Sequence, residues 1–252
     1  MSIFSVGGST PSDDAVESKS VRFEDGDSAY LSWTPTIEGN RKTYTLSCWV
    51  KRGELTTSQC IFSASGGGGV DDGIQFHSDD TLRFFCNSGN ADYKTTAQYR
   101  DTAAWYHIVM AIDTTQATAG DRMRLYVNGE EVTDFSTETA PSQNADNLIN
   151  DNVTHRFGSW VSSTGTYFSG YIAEAYFIDG KQCLPAEFGE TDSDTNQWKP
   201  KTAEDIKAAV TFGTNGFYLP FSNDALAASF TDSAEGYGTV SYTHLTLPTN
   251  RE

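Results

Sequence analysis

WYHIVMAIDTTQATAGDRMRLYVNGEEV, Trp105 to Val132, is the stretch that decides the fold class. Its first nine residues alternate. Trp105, His107, Val109 and Ala111 share one face, and Tyr106, Ile108, Met110 and Ile112 share the other. Both faces are mostly apolar, as in a strand buried inside a two-layer structure. A polar connection, Thr114 to Gly120, follows. Met123, Leu125 and Val127 then alternate with Arg122, Arg124 and Tyr126, which predicts one side toward a core and the other toward water. Asn128-Gly129 can supply the two positive φ angles of a type I′ turn, and Glu130 to Val132 begins the return strand. This is an antiparallel hairpin.

The same alternation recurs in both directions from this hairpin. Strands are predicted at Val21–Phe23, Ala29–Leu31, Tyr44–Val50 and Gln59–Ala64. Gly66 to Gly69 reads as a mobile loop. Gly73–His77 and Thr81–Cys86 form a hairpin around Ser78-Asp79-Asp80, and Asp92–Gln98 is a weaker polar strand. Ser136 to Asn152 reads as a long polar loop, followed by short His155–Gly158 and apolar Tyr167–Ile178. No segment before residue 180 has helical periodicity. Thr202 with Asp205 three residues on predicts one short helix ending at Ala209, and Phe217–Phe221 is a last strand. Many short strands at regular spacing predict an all-β fold, an antiparallel two-sheet jelly-roll sandwich.

Length and charge narrow the function. The chain has 252 residues and a net charge of −17. Such a surface repels phosphate backbones, which argues against nucleic acid as a partner. Cys48, Cys60, Cys86 and Cys183 contain no CxxC pair, which argues against zinc, and all four are expected as free thiols. The opening MSIFSVGGSTPSDD lacks the basic and apolar regions of a signal peptide. No run approaches the roughly 20 apolar residues of a membrane helix, so membrane insertion is not expected.

Five segments together carry a family resemblance. They are Val21-x-Phe23 with Asp27-x-Ala29-Tyr30-Leu31, Thr45-Leu46-x-x-Trp49-Val50, Trp105-x-His107-Ile108-Val109, Leu125-Tyr126-Val127-Asn128-Gly129 and Gly170-Tyr171-Ile172-Ala173-Glu174. The series resembles the laminin-G-like and pentraxin-like group of the concanavalin A-like lectin/glucanase jelly rolls. The resemblance covers about residues 20–190. Residues 1–19 are expected to be a flexible arm and 191–239 a C-terminal extension. Gly213 to Leu219, after Trp198-Lys199-Pro200, is similar to marine bacteriophage structural proteins that carry this domain. Thr239 to Thr249, TVSYTHLTLPT, is similar to the translation of a library-preparation adapter. Residues 240–252 are therefore expected to be an artefact, with the native gene cut near Gly238.

Catalysis finds little support. The glucanase members alternate two glutamates and an aspartate on one strand, so that all three face one cleft. Glu190-Thr191-Asp192 starts that pattern, but Thr195 stands where the last carboxylate would be. His107 alternates with apolar residues and reads as a structural histidine. Glu174, inside an apolar strand, needs a partner or water. For a bound metal, the resemblance implies calcium at a rim or concave face. Asp71 and Asp72 after the glycine run, and Asp151 between Asn150 and Asn152, offer the hard oxygen ligands it needs. The competing explanation is that Asp, Asn and Gly make turns. Trp160, Tyr167 and Tyr99 lie near predicted loops and are the candidates for stacking on sugar rings.

The expected function is a non-enzymatic glycan-recognition module of a phage virion, in a tail fibre or capsid decoration. Its expected partners are cell-surface glycan, other virion subunits and further copies of itself. A purely structural packing domain is the alternative, and a glycoside hydrolase the third.

Overall fold

The computed structural model describes residues 19–86, 90–163 and 165–221. The expectations for the N-terminal arm up to residue 18 and for the adapter-like tail fall outside these residues. Two seven-stranded antiparallel sheets face each other. The back sheet runs β1 (Ser20–Phe23), β13 (Gly170–Asp179), β3 (Thr43–Arg52), β8 (Tyr106–Asp113), β9 (Met123–Val127), β10 (Glu130–Glu131), and β16 (Phe217–Leu219) also pairs with β13. The front sheet runs β11 (Phe135–Thr139), β7 (Ala91–Gln98), β6 (Thr81–Cys86), β5 (Val70–Phe76), β4 (Gln59–Gly67), β12 (Thr154–Phe157), β2 (Leu31–Trp33). The predicted sandwich is present.

The period-2 reading of β8 holds on both sides. Ile108, Met110 and Ile112 enter the core between the sheets, with Tyr44, Leu46, Cys48 and Val50 from β3. Val109 and Ala111 point outward, yet they are fully buried. A second apolar layer covers them. It is built by Cys183, Phe188, Ile206, Val210, Phe212 and Tyr218, from the segment after β13. That segment holds β14 (Gly189–Thr191), β15 (Trp198–Pro200) and the predicted helix, α1 (Ala203–Ala209), where Thr202 Oγ1 accepts from the Asp205 amide. Tyr126 corrects the sequence reading. It faces this layer and not water, and is 4% exposed.

Glu174 sets the face of β13. Between the pairs Ala173–Trp49 and Tyr176–Ser47, two residues of β13, Glu174 and Ala175, oppose one of β3, Cys48, which is a β-bulge. Glu174 takes φ 46° there. Ile172 enters the inner core, whereas Tyr176 and Ile178 join the outer layer. The Glu174 carboxylate accepts from Tyr176 Oη at 3.0 Å and Tyr218 Oη at 2.7 Å. These two rings stack at 4.2 Å. The charge on Glu174 and desolvation by burial together push both tyrosine hydroxyls well above their ordinary range, with burial the larger cause.

His107 fastens the outer layer to the sheet. Trp198 Nε1 can only donate, and it reaches His107 Nδ1 at 2.9 Å. Nε2 therefore carries the proton and donates to Ser47 Oγ at 2.8 Å. The imidazole lies between the Trp49 and Trp198 rings, at 5.0 and 6.0 Å. Its backbone amide donates to Asn128 Oδ1. Asn128 and Gly129 adopt φ 52° and 86°, the predicted type I′ geometry.

Three loop readings change. Gly66 and Gly67 belong to β4, and only Gly68-Gly69 turns the chain into β5. The predicted polar loop 136–152 contains β11, and Asn147, Ile149 and Asn150 within it are buried. β13 begins at Gly170, three residues after the predicted start. All four cysteines are free and buried, as expected. No helix among the described residues is long and apolar enough to cross a membrane.

Two outcomes test this architecture. Replacing Asn128 and Gly129 together by alanine should cost roughly 1–3 kcal/mol in urea unfolding, because alanine resists positive φ. The new Cβ at 129 would also stand 2.7 Å from the Trp198 ring. An unchanged midpoint would contradict the turn. Burial lowers the pKa of His107 from 6.5 to about 3 and that of His155 to about 4. Below about pH 6.5 the unfolded chain therefore binds protons that the folded chain refuses. Stability present above that pH should fall as pH drops, by up to about 1.4 kcal/mol per pH unit for each histidine. Equal urea midpoints at about pH 7 and about pH 5 would show that neither imidazole is held neutral.

Candidate functional site

The Gly68-Gly69 turn opens a cleft at one end of the front sheet. Gly67, Gly68 and Gly69 have φ of 89°, 66° and 78°, and a Cβ on any of them would meet nothing within 4 Å. They are needed for conformation and not for space. The turn leaves room above it, and the cleft has a volume of about 580 Å³. Thr34, Ser65, Asn152, Thr154 and Ser162 supply polar walls, and Val153 and Val161 supply apolar ones. Thr34 directly follows β2, and the others come from β4, β12 and the loops flanking β12.

Each polar wall is anchored at one atom. Ser65 Oγ donates to the Val70 carbonyl at 2.8 Å, and Asn152 Nδ2 reaches the Thr36 carbonyl at 3.4 Å. Thr34 and Thr154 hydroxyls lie 3.4 Å apart. Ser162 Oγ donates to Asp71 Oδ2, while Asp71 Oδ1 is buried without a partner. The cleft therefore presents hydroxyl and amide groups that both donate and accept, set beside two valines. Among the described residues that line it, none has a cationic side chain.

The sequence-predicted residues divide. Asp71 stands behind Ser162 at this cleft. Asp72 does not join it, because adjacent residues of a strand point to opposite faces. Asp72 turns into the core and accepts from the Leu148 amide at 2.6 Å. Asp151 pairs with Arg41 at 3.2 Å. The sequence placed Asp71 and Asp72 on a loop, whereas both lie in β5. The three acids do not converge, and no metal-binding group of acids, histidines or cysteines occurs among the described residues. As a set they do not fit a calcium ion.

The aromatic candidates are placed as follows. Trp160 is 8% exposed and lies on Gly73, where a Cβ would stand 2.8 Å from its ring. Its Nε1 donates to Gln75 Oε1. A missing side chain made a seat for this indole, which leaves little of it for a ligand. Tyr167 is half-buried and bridges to Ser159, within the same β12–β13 connection as Ser162. Tyr99 is at the other end of β5, packed on Phe76 and edge-on to Tyr106 at 5.4 Å.

Two polar centres escaped the sequence reading. At the Tyr99 end, Arg52 and Asp80 form a fully buried ion pair at 3.0 Å. Arg100 and the Thr56 amide complete the Asp80 carboxylate, and Arg52 donates to the Tyr99 carbonyl. Near the cleft, Asn150 Nδ2 donates to Asp179 Oδ1 and accepts at Oδ1 from Asn215. Asp179 also accepts the amides of Asn40, Thr214 and Asn215. His155 Nε2 accepts the Asn150 amide, so Nδ1 donates to the Val153 carbonyl. This knot fixes the loop that delivers Asn152 and Val153 to the cleft. Only the Asn/Asp richness of 146–152 hinted at it.

The comparisons with known proteins bear on this geometry. A family model described as the concanavalin A-like lectin/glucanases superfamily matches residues 25–182. The chain belongs to that superfamily. Among solved structures it is similar to the native heptameric SAP-like pentraxin from Limulus polyphemus, with 17% identity over 62% of this chain and 71% of that one, at TM-score 0.46. Domains LG4-5 of the mouse laminin alpha1 chain match at 14% identity over 77% of this chain and 48% of that one, at TM-score 0.47. Domain 4 of an extracellular arabinanase from Geobacillus stearothermophilus matches at 16% identity over 68% of each chain, at TM-score 0.40. No curated protein matches the sequence.

The buried ion pair generates a stability test. Asp80→Asn should destabilise by roughly 3–5 kcal/mol, because it strands the Arg52 charge in the interior. Arg52→Met combined with Asp80→Asn should recover part of that loss in the same urea titration.

Proposed function

We propose that the chain is a non-enzymatic glycan-recognition module, carried by a phage virion in a tail fibre or capsid decoration. The observation that carries the recognition role is the cleft beside the glycine turn. Its hydroxyl and amide walls complement sugar hydroxyls, and Val153 and Val161 suit the apolar face of a sugar ring. Tyr167, close in sequence to Ser162, is the aromatic of the three candidates with the best access to such a ligand. A shallow site of this kind binds weakly, and repetition on an oligomeric particle would raise its useful strength through effective concentration. The virion setting rests on the resemblance of Gly213–Leu219 to phage structural proteins.

Neutral polysaccharides titrated against the full chain test this reading. Saturable binding is expected without release of reducing ends, and it should be equal with calcium and with chelator. Ser162→Trp, which fills the cleft, should weaken binding about tenfold or more (~1.4 kcal/mol). Absence of binding to every glycan would favour the structural packing role. Release of reducing ends would assign an enzyme.

A further inference from the structure

The outer layer leaves one end of the back sheet uncovered. Across that end, register aligns Arg22 with Tyr171, and Tyr171 with Lys51. Val50 pairs with Tyr106, so Trp105 follows next in the row. Val21, Phe23, Val50 and Ile172 point into the core, so their neighbours Arg22, Lys51 and Tyr171 point outward. The Trp105 and Tyr171 rings approach to 6.5 Å at an interplanar angle of 59°. Tyr171 is among the few exposed large hydrophobic residues, at 36%. Arg22 is held by Glu24 at 2.5 Å. Lys51 is half-exposed and has no ion pair among the described residues. In a chain of net charge −17, this row carries two aromatic rings and two cations, of which Arg22 is paired with Glu24 and Lys51 is the one left for a ligand.

We infer that the row Arg22–Tyr171–Lys51–Trp105 is a second ligand site, separate from the cleft, for a short oligosaccharide containing a uronic acid. The rings offer an apolar face for the C–H side of a sugar. The Lys51 ammonium offers a charge-assisted hydrogen bond to the sugar carboxylate. Neutral sugars would use only the rings. Long polyanions would meet the acidic remainder of the surface, so one or a few charged units fit better than an extended chain. The site lies on the sheet opposite the cleft, and it stands or falls independently of the reading given above.

The test uses the full chain, trigalacturonate and its methyl ester, by calorimetry at low salt. The acid should bind saturably, and the ester roughly threefold to tenfold more weakly. Lys51→Gln should lower affinity for the acid to that for the ester and leave the ester unchanged. Tyr171→Phe should keep binding, whereas Tyr171→Ala should weaken both ligands. Ser162→Trp should have no effect on either. Melting temperatures of Lys51→Gln and Tyr171→Phe are expected to match the parent, since both side chains project from the surface. No saturable binding of trigalacturonate, equal affinity for acid and ester, or a loss caused by Ser162→Trp would each overturn the assignment.

Discussion

Except at the end that carries Arg22 and Lys51, the back sheet is largely apolar on both faces, and the segment after β13 follows from that. A sheet with one wet face could end at Asp179. Here Val109, Ala111, Tyr126, Tyr176 and Ile178 would be left in water. The segment from Cys183 to Tyr218 removes them from it, and each large side chain so buried contributes roughly 1.5–3 kcal/mol. Most of the polar groups trapped beneath it are paired, the Tyr126 hydroxyl being an exception. Ser47, His107 and Trp198 form one chain of hydrogen bonds, and Tyr176, Glu174 and Tyr218 form another. Thr45 is a third clasp, donating to the Lys181 carbonyl and accepting the Cys183 amide. Burial without these partners would cost more than it returns.

Alternation made most strands legible. Trp105 to Val132 showed strand, hairpin and turn, and even the doubly apolar character of β8. What alternation could not show was which water-facing positions are covered later in the chain. Tyr126 looked exposed because its neighbours Arg122 and Arg124 are polar. The covering residues lie some 60 to 90 positions downstream, by the numbering of Phe188 and Tyr218. A bulge is equally opaque. Continuous alternation puts Ile172 and Glu174 on one face, whereas the extra residue at Ala173–Tyr176 parts them. Thr202 and Asp205 were readable because a helix cap is local.

The candidate cleft was legible in parts. The glycine run marked its position, though four glycines suggested a longer loop than the two-residue turn that forms. Asp71 and Asp72 appeared equivalent as letters and are opposite as side chains. Trp160 shows how a glycine can act at a distance, since Gly73 is what allows the indole to lie flat on β5. The Asn150–Asp179–Asn215 knot joins positions 65 residues apart, which no local pattern contains. Its effect at the cleft is nonetheless direct, because it holds the loop that carries Asn152.

The covering segment also separates two meanings of a domain. The family match stops at residue 182, whereas the folded unit continues through Phe221 among the described residues. A fragment trimmed at the family boundary would lose β16, which pairs with β13, and would expose a broad, flat strip of valine, alanine, isoleucine and tyrosine. Strips of that kind stick to one another. Insolubility of such a fragment would then be a property of where it was cut, and would say nothing about how well the sandwich itself folds.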